Sequence, residues 1–259
     1  MSTTAKGARP SLTVIVLTLD EARHLPDCLA SLAWAQRVLV FDSGSQDDTV
    51  ALARKAGAQV QVHPFENYSR QRQAALDHAE SEWVLFVDAD ERVTPELADQ
   101  VQRAVDQDVH DAYWLPRRNL FWGNALRGGG WWPDHQLRLL RVSACRYDPT
   151  RAVHELAEVQ GSTGWLTAPL SHINYESAEE FRLKQHTYAL MEAQRRASQF
   201  GRPRARSLIL QPLREFRRRF VQLGGWRDGR LGLWLCAMMA ASEWRTLREQ
   251  ARMAQGAAD

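Results

Sequence analysis

Hydrophobic and polar positions alternate in blocks through the first 105 positions of the chain. Residues 11–19, "SLTVIVLTL", are apolar and rich in β-branched side chains, which predicts a strand buried on both faces. Leu25, Cys28, Leu29 and Leu32 then recur at helical spacing. "RVLVFDSGS" predicts a second strand ending at Asp42, and a helix follows through "DTVALARKAG" to Gly57. Ser45 with Asp48 three residues on has the pattern of a capping box. "AQVQVHP" reads as a third strand, "YSRQRQAALDHAE" as a helix, "EWVLFVDAD" as a fourth strand, and "TPELADQVQRAV" as a helix with Pro95 in its first turn. Strands alternating with helices predict an α/β fold, a mostly parallel sheet flanked by helices.

Ligands of such sheets bind at the carboxyl ends of the strands. Asp20, Asp42, and Asp88 with Asp90 all fall at those ends. Beyond residue 105 the pattern changes. "DAYWLPRRNLFWG" and "HQLRLLRVSACRYD" alternate like strands, with "NALRGGGWWPDH" between them as a flexible loop whose aromatics cover a ligand. "AVHELAEV" and "GWLTAPLSHIN" continue the β-type region. A helical appendage begins at Ala178, with further helices over 207–223 and 229–250.

Charge adds a second feature. The net charge is only +2, yet residues 201–230 hold nine arginines against two acids. Arg214, Arg217 and Arg218 are expected on one side of a helix, and Leu213, Phe216 and Phe220 on another, as in a helix lying on an anionic lipid surface. Three widely spaced cysteines have no metal-knuckle spacing and argue for a reducing compartment. The polar start "MSTTAKGARP" does not read as a signal peptide, and no run of 18 apolar residues occurs. Neither G-x-G-x-x-G nor GxxxxGK[ST] follows the first strand, which counts against dehydrogenase and ATPase chemistry.

The segments "VIVLTLDEARHLPDCLASL", "VLVFDSGSQDDTVALARKAG" and "WVLFVDADERVTPEL" together resemble the successive signatures of the family 2 inverting glycosyltransferases, which have the GT-A fold. "QLRLLR", "VHE" and "GGWRDGRLGLWLCAMMAASEW" are similar to the lipopolysaccharide core β-1,4-glucosyltransferase branch. The resemblance implies a GT-A domain over 1–177, with a nucleotide-sugar half at about 11–105 and an acceptor half at about 106–177. A helical, basic, membrane-associating region over 178–259 follows. It implies metal-dependent inverting transfer of a hexose, glucose being expected, from a UDP-sugar to a lipopolysaccharide inner-core or related glycolipid acceptor. It places Thr18, Leu19, Asp20, Glu21, Asp42, Arg72 and Asp88 at the donor, although many members have an aromatic at Leu19 and Asn at Asp20. Asp42 is expected to read the nucleoside. Asp90 would hold Mg²⁺ or Mn²⁺, with Asp88 bridging ribose or cation, and His154 would complete the metal site or bind a phosphate.

The chemistry suits these residue types. A hard divalent cation bound by carboxylates and phosphates acts as a Lewis acid on a departing diphosphate. An inverting displacement needs one general base on the acceptor side. Glu155 and Asp134 are the two candidates, with Glu155 preferred for its place in a β-like stretch. Trp131 and Trp132 would stack on sugar or exclude water, and Arg138 and Arg141 would reach the diphosphate or an acidic acceptor. The expected partners are a UDP-sugar, a glycolipid and an anionic membrane surface, with no nucleic acid. The expected location is peripheral, on the cytoplasmic face of the inner membrane. The competing readings are an inactive nucleotide-sugar-binding regulator, which would lack a base, and a nucleotidyltransferase, which would want a basic glycine-rich first loop.

Overall fold

The computed structural model describes residues 10–149 and 156–256. In chain order its strands and helices are β1 (Leu12–Thr18), α1 (Leu25–Ser31), β2 (Val38–Asp42), α2 (Thr49–Lys55), β3 (Gln59–Val62), α3 (Tyr68–Asp77), β4 (Trp83–Asp88), β5 (Glu91–Val93) and α4 (Pro95–Gln107). Short strands dominate next: β6 (Ala112–Phe121), β7 (Asn124–Ala125), β8 (Asp134–Arg141), β9 (Cys145–Arg146), β10 (Glu158–Val159), β11 (Thr163–Trp165) and β12 (Leu170–Tyr175). Three long helices close the chain, α5 (Ala178–Phe200), α6 (Ser207–Arg217) and α7 (Gly229–Gly256). Contacts divide it into two units. One comprises the chain up to Arg117 together with His135–His172. The other comprises Arg118–Asp134 and the chain from Ile173 onward.

The first unit is built on a sheet of strand order β3-β2-β1-β4-β8-β6-β12-β5. Its N-terminal half is parallel, as the alternation predicts: β1 pairs with both β2 and β4, and β2 with β3. The later strands make the sheet mixed, since β8 runs antiparallel to β4 and β12 antiparallel to β5. Apolar clusters cover both faces. One contains Val14, Val16, Leu85, Val87 and the α4 residues Leu97 and Val101. The other contains Ile15, Phe41, Phe86 and Leu76 of α3. That two-sided burial is why β1 and β4 read as unbroken apolar runs.

Helix starts follow capping chemistry. The Thr94 side chain accepts from Leu97 N before α4, and Asn67 accepts from Arg70 N before α3. The expected capping box at Ser45 does not form. The N-cap of α2 is Asp48, with no side-chain cap bond. Ser45 Oγ instead donates to Asp42 Oδ2 (2.5 Å) and accepts from Asp20 N (2.9 Å). The hydroxyl uses its donor on the carboxylate at the end of β2 and its acceptor capacity on the Asp20 amide, which ties the first loop to the second instead of capping α2.

The second unit joins the C-terminal helices to the end of β6, to β7 and to the glycine-rich loop, around a core of Phe121, Leu126, Tyr175, Phe181 and Leu235. Within it, Arg196 of α5 bridges to Glu243 of α7 at 2.7 Å. The glycine-rich loop, expected to be flexible, is pinned there. The Asp228 carboxylate accepts from Arg127 N and Gly128 N (2.7 and 3.0 Å), and Gly129 N donates to Leu223 O (2.8 Å). A Cβ on Gly128 would lie 2.1 Å from Gly224 O, so only glycine permits this approach. The face assignment over residues 213–220, the end of α6 and the turn after it, is also corrected. Leu213 is exposed together with Arg214 and Arg217, while Phe216 and Phe220 stack on each other (5.3 Å, 20°) and are half-buried.

Candidate active site

The strand ends β1, β2 and β4 of the first unit open onto a cavity of about 380 Å³. Thr18, Leu19, Glu21, Arg72, Asp88 and Asp90 line it, all of them expected from the sequence. Ser43, Phe65, Tyr68, Gln71 and His172 line it too and were not anticipated. Buried parallel strands make this convergence, because every β-strand of the parallel half ends on the same side.

Asp88 is the most constrained of these residues. Its Oδ1 accepts from Arg72 Nη2 (3.1 Å) and Arg138 Nη1 (3.2 Å), and its Oδ2 from Arg138 Nη2 (2.5 Å). Desolvation alone would raise its pKa, but Arg138 and Arg72 outweigh it and hold the carboxyl well below the usual range. Glu91, fully buried, accepts from Asp88 N with Oε2 (2.8 Å) and faces Arg138 and Arg117 with Oε1 (3.3 and 3.5 Å). Burial pushes Glu91 upward against the pull of Arg138 and Arg117. Arg138 is thus a buried clamp on the turn after β4, with its own charge reinforced by Asp88 and Glu91 despite desolvation. It was expected at a diphosphate or acceptor. Its Nη1 and Nη2 atoms engage Asp88 and Glu91.

Asp90, two residues on, is paired with no arginine among the described residues. Its Oδ2 lies 3.2 Å from His172 Nε2. The antiparallel register of β12 on β5 pairs His172 with Glu91 and so delivers the imidazole to the loop. Asp90 and His172 form a two-residue donor set, and among the described residues no cluster of three His, Cys, Asp or Glu side chains exists. A carboxylate and an imidazole fit a divalent cation that completes its shell with diphosphate oxygens and water. His154 and Glu155 lie outside the described residues.

Asp42, expected to read the nucleoside, is engaged by neighbouring donors within the protein. It is fully buried, and its oxygens accept from Thr18 Oγ1 (2.8 Å), Gly44 N (2.9 Å), Ser45 N (2.9 Å) and Ser45 Oγ. It does not line the cavity, and four donors already engage its carboxylate. Asp20, at a positive φ of 55°, likewise ties the first loop by accepting from Gln46 N (2.7 Å). Arg141 is a clear correction. The β4–β8 register sets it opposite Trp83, at the far end of β4 from Asp88, where it pairs with Glu82 (2.6 Å) and Asp108.

Trp131, Trp132 and Asp134 belong to the second unit. Trp131 packs edge-on against Phe121 at 5.6 Å beneath the Arg219 guanidinium, and Trp132 lies under Arg118 at 4.8 Å. Asn119 Nδ2 donates to Trp131 O (3.0 Å) and Asp134 Oδ2 (3.3 Å), which holds the carboxylate at the start of β8.

The strand ends of this α/β sheet carry the D-x-D turn that the resemblance to nucleotide-sugar transferases implies, with a histidine from a later strand beside its second acid. Comparison gives the family. The sequence model described as Glycosyl transferase family 2 matches residues 13–153. The lipopolysaccharide core biosynthesis glycosyltransferase LpsC of Rhizobium meliloti (strain 1021) is 30% identical over 232 residues, 85% of this chain and 84% of that protein. A glycosyltransferase of Rickettsia conorii, RC0292, is 32% identical over 109 residues, 42% of this chain and 39% of that protein. Residues 1–349 of S. aureus TarS superpose with a TM-score of 0.50 at 18% identity, covering 95% of this chain and 92% of that one, a likeness of fold. The chain belongs to glycosyltransferase family 2.

Proposed function

We propose that this glycosyltransferase moves a hexose, glucose being the expected one, from a UDP-sugar to a lipopolysaccharide inner-core or related surface glycolipid acceptor, in one inverting displacement. The observation that carries the reading is the pairing of Asp90 with His172 in a cavity that also contains the arginine-clamped Asp88. The name of the Rhizobium meliloti relative supports a lipopolysaccharide acceptor.

In this reading Asp90 and His172 hold Mg²⁺ or Mn²⁺, which supplies charge neutralisation at the leaving diphosphate. Asp88 is held rigid by Arg72 and Arg138 and faces the ribose. Glu91 fixes the backbone of the turn through Asp88 N. The acceptor hydroxyl gives its proton to a carboxylate, Glu155 or Asp134. Thr18 and Leu19 form the floor beneath the nucleoside.

The second unit serves as the membrane-facing part, on the cytoplasmic side of the inner membrane. No helix among the described residues is long and apolar enough to cross a bilayer. Yet Ile209, Leu213, Val221 and Trp226 are exposed in the segment that carries seven net positive charges. An apolar and basic surface of this kind suits peripheral binding to anionic lipid.

Incubation of the purified protein with a panel of nucleotide sugars, Mg²⁺ or Mn²⁺ and truncated lipopolysaccharide tests the reading through diphosphate release. UDP-glucose with a core acceptor is expected to turn over, and Asp90→Ala to lose that turnover by orders of magnitude while remaining folded. Full activity in excess chelator, or in Asp90→Ala, overturns the metal role.

A further inference from the structure

The donor cavity has one wall that packing does not explain. Phe65 and Tyr68 are 42% and 54% exposed, although large aromatics gain most from burial. They meet edge-to-face, with centroids 5.2 Å apart at 74°, and belong to none of the three apolar clusters. Both line the cavity. Phe65 follows β3, and Tyr68 is the first residue of α3, one helical turn before Arg72. Side chains four apart share a helix face, so Tyr68 stands on the face from which Arg72 reaches Asp88.

The rest of the cavity shows what such a wall would hold. The pair Asp90 and His172 and the clamped Asp88 mark the end suited to phosphate and ribose. A nucleoside also presents a flat heteroaromatic base, which binds best against an aromatic ring. The strand-end residue Leu19 is 49% exposed at this cavity but offers only an aliphatic surface. Phe65 and Tyr68 are the aromatic rings among the cavity-lining residues besides the His172 imidazole, which is turned toward Asp90. Polar recognition is available beside them. Gln71 is held by His63 Nδ1 at 3.0 Å and donates to Ser43 Oγ at 3.1 Å, which orients the Ser43 hydroxyl at the cavity wall.

We infer that Phe65 and Tyr68 hold the donor nucleobase, supplying from the β3–α3 connection the stacking surface that Leu19 lacks. The assignment rests on the nucleotide-sugar reading of the cavity. It makes the segment 65–68, on the β3–α3 connection, a determinant of donor affinity separate from the β1 end.

Calorimetry on the full chain with Mn²⁺ tests it, with UDP as one probe and pyrophosphate as the other. In Phe65→Leu/Tyr68→Leu the Kd for UDP is expected to rise at least about tenfold, the scale of a lost base–aromatic stack. Pyrophosphate affinity and the thermal midpoint should stay as in the unsubstituted protein, and Tyr68→Phe should retain UDP binding. Adding Leu19→Tyr to the double variant should recover part of the lost affinity. Unchanged UDP affinity in the double variant overturns the inference, and so does an equal loss for both probes. If the unsubstituted protein binds pyrophosphate but no UDP, the nucleotide-sugar reading itself falls, an outcome distinct from the first two.

Discussion

His172 Nε2 and Asp90 Oδ2 lie 3.2 Å apart, although 82 positions separate the two residues in the chain. The pairing of β12 with β5 makes the contact, and it yields the first prediction. His172→Ala should weaken Mn²⁺ binding, read by electron paramagnetic resonance in the presence of UDP, and lower turnover by roughly ten- to a hundredfold or more. The Mn²⁺-binding measurement needs no acceptor. Undiminished Mn²⁺ binding would assign the histidine a purely structural role.

Arg138→Met should destabilise the protein by about 2–4 kcal/mol near neutral pH, because it leaves the buried Glu91 and the half-buried Asp88 short of a cation. The pH dependence has a definite sign. In the unsubstituted protein Asp88 is depressed, so its contribution is complete above the ordinary aspartate pKa and is lost as pH falls below it. Without Arg138 both carboxyls lie higher than they do beside it and take up protons more readily, so the deficit relative to the unsubstituted protein shrinks on acidification. Thermal unfolding at pH 7 and pH 5 reads the difference. A gap that widens at pH 5 contradicts the clamp.

Asp42→Ala should cost about 2–4 kcal/mol, since it removes the acceptor of two hydroxyls and two backbone amides at the ends of β1 and β2. If Asp42 only scaffolds the loop, Asp42→Asn should lose much less stability and bind UDP nearly normally. A selective loss of UDP affinity in Asp42→Asn, at unchanged stability, would restore the direct nucleoside contact expected from the resemblance.

Flotation with anionic vesicles tests the second unit. Binding at low salt should fall in Leu213→Asp/Val221→Asp through lost apolar contact. In Arg214→Glu/Arg217→Glu it should fall through lost charge, with a weaker salt dependence. Arg218 and Arg219 are poorer choices, because both already pair with Glu215. Failure of the unsubstituted protein to float at low salt makes 202–230 a soluble appendage.

For the general base, Glu155→Gln and Asp134→Asn should separate in single-turnover transfer with donor affinity retained. The base variant is expected to transfer orders of magnitude more slowly, and Glu155 is the first choice. Near-normal transfer by Glu155→Gln with loss in Asp134→Asn reverses the assignment.

The sequence by itself determined the parallel half of the sheet, because residues buried on both faces leave an unbroken apolar run at β1 and β4. It also determined the carboxylates at the strand ends, since strand direction alone fixes which ends share an edge. The helices from Ala178 onward were legible for a similar reason, their periodicity being local. What each acid does was decided only by tertiary structure. Asp42 and Asp90 look alike in sequence, yet one is consumed by four donors and the other faces a histidine. Arg138 and Arg141 share one strand, but register carries one to Asp88 and the other to the far end of β4. His172 gave no signal beyond a histidine in a strand-like stretch. Pairing between strands distant in the chain depends on packing across the whole sheet, and no local pattern of residues encodes which partner a side chain will meet.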